Sequence, residues 1–368
     1  MRTIRWNQAA ERIGLSTIPL LLLLSACSPD AETPVSPTDP AAAPYAGRDC
    51  LGRSGDCAAN RNGRIAWTQI NKDYTAFVIF SARLDGSDRQ QLTFPEPGVA
   101  EDGHADWSPD GSTIIFERDY AGDLGIAQIF RMNADGTGLT LLTACTGDCL
   151  GNAFPSYSPD GQHIAFIRWI GPVRPDEQAT SGGIWVMNAD GSDPVQLTQL
   201  RLPTTTEDSR PRWSPDGRSL AFTRLNTVAE PQWRQAVFVS AANGSGARRI
   251  TPWSLDANVP FWSPDGTRLL VSAHDDAITP GIGALYTIRP DGSGLHKVVP
   301  RGLVQAPGSP RLAENGKFSP DGKSIVFQHE IAPDWCCVIY RMDAEGGHVQ
   351  RLTLSDDPAY APNWGTHR

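Results

Sequence analysis

The sequence is poor in the signatures of catalysis. It has no Gly-x-Ser-x-Gly nucleophile elbow, no His-Glu-x-x-His zinc motif and no glycine-rich phosphate cradle. Its 7 histidines are scattered along 368 residues. Of these, His104 falls at a predicted channel mouth, and His274 and His329 fall near variable loops. No catalytic set, metal site or cofactor is predicted from these residues. Basic clusters are also missing. The chain carries 32 Lys and Arg against 41 Asp and Glu, a net charge of −9, which excludes the electrostatic footprint of a nucleic-acid binder. The one marked apolar run, Ile13 to Leu24, is too short for a comfortable membrane span. Cysteines number 7, and none are spaced Cys-x-x-Cys, which argues against a zinc site.

What is present is a repeat. Ser-Pro-Asp-Gly stands at 108–111, 158–161, 214–217, 263–266 and 319–322. An aromatic precedes each copy: Trp107, Tyr157, Trp213, Trp262 and Phe318. Pro presets φ, Ser and Asp side chains bond turn backbone, and Gly takes the φ > 0 position that closes a hairpin. A second landmark keeps the same period. Turn pairs at Asp85-Gly86, Asp135-Gly136, Asp190-Gly191, Asn243-Gly244, Asp291-Gly292 and Glu345-Gly346 are each preceded by an aromatic and followed by an aliphatic at fixed offsets. Each unit therefore reads as four antiparallel strands, and a period of roughly 50 residues means propeller blades. Arg64 to Trp67 and Phe77 to Phe80 resemble second and third strands whose first strand is missing. Ala361-Pro362-Asn363-Trp364 resembles a lone first strand at the other end. The prediction is an all-β, six-bladed propeller over 64–368, closed three-plus-one by the C-terminal strand.

The first residues differ in character. Arg2, Arg5 and Arg12 flank the apolar run, which ends Leu24-Ser25-Ala26-Cys27. This has the form of a signal peptide over 1–26, and its last four residues resemble a bacterial lipobox. The resemblance implies cleavage before Cys27 and lipidation there, and Ser28 in place of Asp implies the outer membrane. Several acyl chains anchor stably where one is marginal. Removing 1–26, with three Arg and one Glu, takes the net charge from −9 to −11. Residues 27–48 read as a Pro/Ala-rich disordered tether, and 49–63 as a lead-in bearing cysteines. An exported protein with an even number of remaining cysteines favours disulfides among Cys50, Cys57, Cys145, Cys149, Cys336 and Cys337, of unassigned connectivity. Cys50 with Cys57, and Cys145 with Cys149, are near enough in sequence to staple loops. Cys336-Cys337 is either a vicinal pair or a partner for the N-terminal segment.

The unit aromatic-Ser-Pro-Asp-Gly, Ile-Ala-Phe, Ile-Trp-Val-Met-Asn-Ala-Asp-Gly-Ser and Gln-Leu-Thr, seen best at 213–222 and 184–198, resembles the TolB-type propeller repeat, a WD-repeat-like family. The same repeat occurs in prolyl oligopeptidase-like enzymes, where a separate hydrolase domain does the chemistry. No such domain is expected here.

Both kinds of turn lie at one end of the blades. The other end carries irregular loops, where function concentrates on a rigid scaffold. The segments entering each first strand are expected to line the channel mouth there. The candidate binding residues are Asp102, His104, Asn152, Asp208, Arg210, Asn258, Asn315 and Tyr360. The repeated Asp110, Asp160, Asp216, Asp265 and Asp321 read as turn residues rather than calcium ligands, and Asn243-Gly244-Ser245 as a turn rather than a glycan acceptor. The function expected is a non-enzymatic interaction module, a monomer tied to the membrane through its lipid anchor in the cell envelope. It binds a protein or peptide partner and no nucleic acid. The alternative is a carbohydrate-active or other metal-dependent lyase or hydrolase working at the polar mouth.

Overall fold

The computed structural model describes residues 63–70, 76–95, 98–120, 127–171, 181–198, 207–226, 234–274, 283–303, 313–331, 336–353 and 358–365. The predicted signal peptide, the lipidation site Cys27, the tether, and the lead-in with Cys50 and Cys57 lie outside these residues, Gly63 apart. The described chain is strand throughout, except for one turn of 3-10 helix at Trp253–Leu255.

Strands β1 (Arg64–Ile70), β2 (Phe77–Arg83) and β3 (Gln90–Gln91) open the chain. Five sets of four follow. These are β4 (Val99–Trp107), β5 (Thr113–Tyr120), β6 (Ala127–Asn133) and β7 (Thr140–Leu141), then β8 (Cys149–Tyr157), β9 (His163–Ile170), β10 (Ser181–Asn188) and β11 (Val195–Gln196). Next come β12 (Glu207–Trp213), β13 (Ser219–Asn226), β14 (Arg234–Ala241) and β15 (Arg248–Arg249), then β16 (Ala257–Trp262), β17 (Leu269–His274), β18 (Gly283–Ile288) and β19 (His296–Val298). The last set is β20 (Glu314–Phe318), β21 (Ser324–Ile331), β22 (Cys336–Asp343) and β23 (Gln350–Arg351). A lone β24 (Ala359–Trp364) ends the chain and pairs antiparallel with β1, Ile65 opposite Trp364. It becomes the first strand of the first blade, as the repeat requires.

Six blades stand in a ring, and each first strand packs against the first strand of the next, β24 against β4 included. Each blade lies between two neighbours, so its inner strands bury both faces and read as continuous apolar runs. Ile164, Ala165, Phe166 and Ile167 are all fully buried. Six apolar clusters occupy the six interfaces between blades. One joins Val326, Ile339 and Leu352 of the sixth to Trp67, Phe80 and Trp364 of the first.

The turns do what their residues dictate. In the second blade, Ser108 Oγ donates to Asp110 Oδ1 at 2.6 Å, the N–H of Ser112 donates to the same oxygen at 3.0 Å, and Gly111 takes φ 71°. The same bonds recur at Asp160, Asp216, Asp265 and Asp321. These carboxylates serve the turn. Asn243 does likewise, accepting from the N–H of Ser245 at 3.0 Å. The fourth strands are shorter than the sequence suggests, two or three residues each. Short outer strands leave little edge for another chain to pair with. Cys145 and Cys149 are joined by a disulfide in the link between the second and third blades. Cys337 is buried with its Sγ 4.0 Å from Gln328 Nε2, and the side chain of Cys336 lies outside the described residues.

Candidate functional site at the channel mouth

The first strands share one irregularity. Register shifts between Gly103 and Asp106, Ala153 and Ser156, Ser209 and Arg212, Asn258 and Phe261, and Glu314 and Lys317. At the same place in all six blades one non-glycine residue takes a left-handed conformation: His104, Phe154, Arg210, Val259, Asn315 and Ala361, with φ between 48° and 52°. This is a β-bulge repeated around the ring, and a bulge re-aims a side chain. These six are half-buried while the residue that follows each of them is buried. In four blades that following residue is Pro (155, 211, 260 and 362), which has no N–H to leave unpaired where the ladder breaks.

Four of the bulge N–H groups are taken up by the second strand of the blade before. Phe154 N donates to Glu117 Oε2 at 2.7 Å, Val259 N to Thr223 Oγ1 at 3.2 Å, Asn315 N to Ser272 Oγ at 2.9 Å and Ala361 N to Gln328 Oε1 at 3.2 Å. The ring therefore holds its own backbone. Its side chains meet one another across blades. His104 meets Phe154 edge-on at 4.5 Å between centroids, and the Arg210 guanidinium lies 4.5 Å over the same ring.

Two residues further along each first strand the axis is filled. Asp106, Ser156, Arg212, Phe261 and Asn363 are buried there, and Lys317 is largely so. Lys317 Nζ reaches Asp106 Oδ1 at 3.1 Å and also bonds Asn363 Oδ1, while Asn363 Nδ2 donates to Asp106 Oδ1 at 2.9 Å. Burial alone would raise the Asp106 pKa, but Lys317, Arg212 and two hydrogen bonds outweigh it and hold the carboxyl below its usual range. Burial pushes the Lys317 ammonium down, against the pull of Asp106. This layer is a floor that makes the mouth blind.

The eight predicted residues divide three ways. His104, Arg210 and Asn315 belong to the ring. Asn258 and Tyr360 stand one residue before it, and Tyr360 Oη donates to Glu101 Oε1 at 2.7 Å. Asp102, Asn152 and Asp208 stand two residues before it, and they are a correction. All three are fully buried and turned into their own blades. Arg118 grips Asp102 with two bonds of 2.6 and 2.8 Å, and Arg224 grips Asp208 at the same two distances. Arg168 Nε donates to Asn152 Oδ1 at 2.7 Å. Each guanidinium then covers an aromatic of the third strand: Phe130 at 5.0 Å, Trp185 at 4.7 Å and Phe238 at 4.6 Å. These residues clamp three strands of a blade together. The mouth residues sit inside the first strands, where the sequence reading placed entry segments.

Sequence reasoning missed Phe154, Val259 and Ala361 of the ring, the floor, and Glu117 of β5. The Pro two residues before the turn aromatic in four blades was the available signal for the bulge. Burial opposes ionisation of Glu117, yet His104, whose Nδ1 lies 2.5 Å from Oε1, and the Phe154 N–H hold its carboxyl below the usual range. Burial raises Glu101 despite the Tyr360 bond. Burial and the neighbouring carboxylates raise half-buried Asp119 well above its ordinary value. Among the described residues no three His, Cys, Asp or Glu are placed to hold a metal ion.

A closed ring of six four-stranded blades with a bulge-lined blind mouth defines a β-propeller. The chain belongs to the TolB beta propeller domain family, whose model matches residues 176–367. The structure of TolB from Acinetobacter baumannii superposes with a TM-score of 0.61 at 16% identity, covering 83% of this chain and 67% of that one, a likeness of fold. The uncharacterized peptidase YuxL of Bacillus subtilis is 27% identical over 202 residues, 48% of this chain and 29% of that protein. Dipeptidyl-peptidase 5 of Trichophyton equinum is 30% identical over 208 residues, 54% of this chain and 27% of that protein. The match thus spans under a third of either relative's length.

Proposed function

We propose that this chain is a lipid-anchored propeller of the cell envelope that recognises a protein or peptide partner at the blind mouth. The observation that supports it most is the repeated bulge. It turns six unlike side chains (His104, Phe154, Arg210, Val259, Asn315 and Ala361) towards one axis on a rigid frame. Unlike groups on an invariant scaffold can read a sequence of unlike groups, whereas the turn face repeats nearly the same residues. The half-buried ring of Phe154, flanked by His104 and Arg210, supplies an aromatic anchor with polar edges, the composition of an interface centre. Anchoring rests on Leu24-Ser25-Ala26-Cys27 behind a basic start.

Site-directed photo-crosslinking in envelope preparations tests the reading. A crosslinker at Val259 or Ala361 should capture a discrete partner. One at Gln162, exposed on the turn face, should not. Capture only from Gln162 moves the site to the other face and sinks the proposal. Cys27→Ser should shift the protein from the membrane to the soluble fraction.

A further inference from the structure

We propose that the corner of the mouth between the first and second blades is a subsite for the ammonium group of a lysine side chain carried by the partner. The inference rests on the mouth being a peptide site, and it is carried by three features of that corner.

The first is an excess of negative charge. Glu101 and Asp119 are cross-strand partners on β4 and β5, and Glu117 lies two residues along from Asp119. Asp102 is neutralised by Arg118 on the blade's other side, and Glu117 is faced by His104. Arg210, stacked on Phe154, acts on Glu117. Glu101 has the Tyr360 hydroxyl, a neutral donor. Asp119 makes no hydrogen bond or ion pair among the described residues, and the groups acting on it are the carboxylates of Glu117, Glu101 and Asp102. Like charges so placed repel unless a cation arrives from outside or one takes a proton.

The second is an orphaned hydroxyl. Thr68 is 1% exposed, and its Oγ1 has no partner among the described residues. Its counterparts in other blades, Glu117, Thr223, Ser272 and Gln328, each accept the N–H of a bulge residue. A buried hydroxyl left unmatched costs free energy that a donor would recover.

The third is space. The second blade has Gly103 where the others have Ala153, Ser209, Asn258, Glu314 and Tyr360. A Cβ at Gly103 would lie 2.9 Å from Glu101 Oε1 and 3.6 Å from Thr68 Oγ1. With no side chain at this position, the Glu101 carboxylate and the orphaned hydroxyl both border the same point. An ammonium has three donors and no acceptor, and Glu101, Asp119 and Thr68 supply three acceptors. The same carboxylates are not arranged to coordinate a metal.

The test titrates isotope-labelled protein with acetyl-Gly-Gly-Lys-Gly-Gly-amide, its norleucine counterpart and calcium chloride, following the amide signals of Thr68 and Gly103. The lysine peptide should move both signals saturably, and the norleucine peptide should bind at least about tenfold more weakly, the worth of one charge-assisted hydrogen bond. Asp119→Asn and Gly103→Ala should each weaken the lysine peptide about tenfold by the same arithmetic. Asp119→Asn should melt no lower than the parent, because it removes a repelled charge. Equal binding of both peptides, or indifference to both substitutions, overturns the subsite while partner capture from Val259 still upholds the mouth. Calcium moving these signals where the lysine peptide does not overturns it in favour of a metal. Silence of both signals up to on the order of 10 mM peptide, weaker than any useful contact, also overturns it.

Discussion

At the scale of single residues, place along the first strand decides what an aspartate does. Asp102 and Asp208 look like mouth ligands in the sequence, yet strand alternation turns them into the blade, where Arg118 and Arg224 hold them. Removing one partner of a buried pair leaves the other charge uncompensated. Asp208→Ala should therefore cost about 3 kcal/mol, the lower end because Arg224 keeps some solvent. The fifth blade shows a neutral alternative, since its equivalent cross-strand pair is Ala257 with Ala273. Adding Arg224→Ala to Asp208→Ala should recover about 1 kcal/mol or more relative to additivity. Strict additivity in denaturant melts would show that the clamp is not a coupled unit.

The turn carboxylates set a pH dependence. The Ser108 hydroxyl and the Ser112 N–H and hydroxyl hold Asp110 at about 2, against an ordinary 3.8. Asp160, Asp216 and Asp265 are lowered for like reasons, serine bonds first. A depressed carboxyl stabilises the fold above its unfolded value and loses that contribution as pH falls through its folded value. Unfolding midpoints should therefore drop between about pH 4 and pH 2, and the drop should shrink when Asp110, Asp160, Asp216 and Asp265 are all changed to Asn. An acid limb of undiminished depth in that variant would assign it to other groups.

At the scale of elements, the turn between third and fourth strands is also a contact between blades. Gly244 has φ 81°, and a Cβ there would stand 2.6 Å from the Leu197 carbonyl oxygen of the preceding blade. Gly246, in the same turn at φ 66°, has nothing within 4 Å of such a Cβ. Both positions carry the left-handed penalty of about 1 kcal/mol, and only Gly244 adds a collision with backbone. Gly244→Ala should thus cost at least about 2 kcal/mol and Gly246→Ala about half of that. Equal losses in thermal melts would mean that the turn does not press on its neighbour.

The element scale is also where sequence and structure part. Turns, blade count and the pairing of the tail were legible because each needs a residue type at a fixed offset, as Asp110 and Gly111 do. The bulge was legible only through the Pro that follows it in four blades. No one residue type is needed at a position filled by His104, Phe154, Arg210, Val259, Asn315 and Ala361, because its conformation is imposed by the ring and by acceptors reaching over from the blade before. Partners such as Glu117 for Phe154 are 37 residues apart and have no local signature. The fifth blade shows the same compensation. Elsewhere a Thr that follows Leu or Ile accepts a third-strand N–H, as Thr251 does from Val237 at 2.8 Å. The fifth blade has Val299 there, and β19 runs one residue longer to pair Val298 with Leu285.

At the scale of the molecule, the tail's register with the first blade is a measurable claim. Trp364 is 3% exposed and packs with Trp67, Phe80 and Leu352, its Nε1 donating to the Lys317 carbonyl at 2.9 Å. Asn363 joins the floor through Asp106. Removing residues 359–368 would uncover Ile65 and Trp67, open two long edges and unseat Lys317. The truncated chain should lose cooperative unfolding. Instability alone does not prove the register, because any lost apolar strand destabilises. A circular permutant does test it. The Gly365 N–H donates to the Arg64 carbonyl, as Ser108 N does to Thr113 O where a Ser-Pro-Asp-Gly turn begins. Pro-Asp-Gly-Ser should therefore join position 365, changed to Ser, directly to Arg64, with new ends at Pro358 and Thr353. That chain makes every blade from four consecutive strands, and it should fold with a melting midpoint near the parent's. Shortening the new turn by one residue should cost stability sharply, since it shifts alternate side chains to the wrong face. A permutant that folds equally well with either turn length would show that β24 does not sit against β1 in this register.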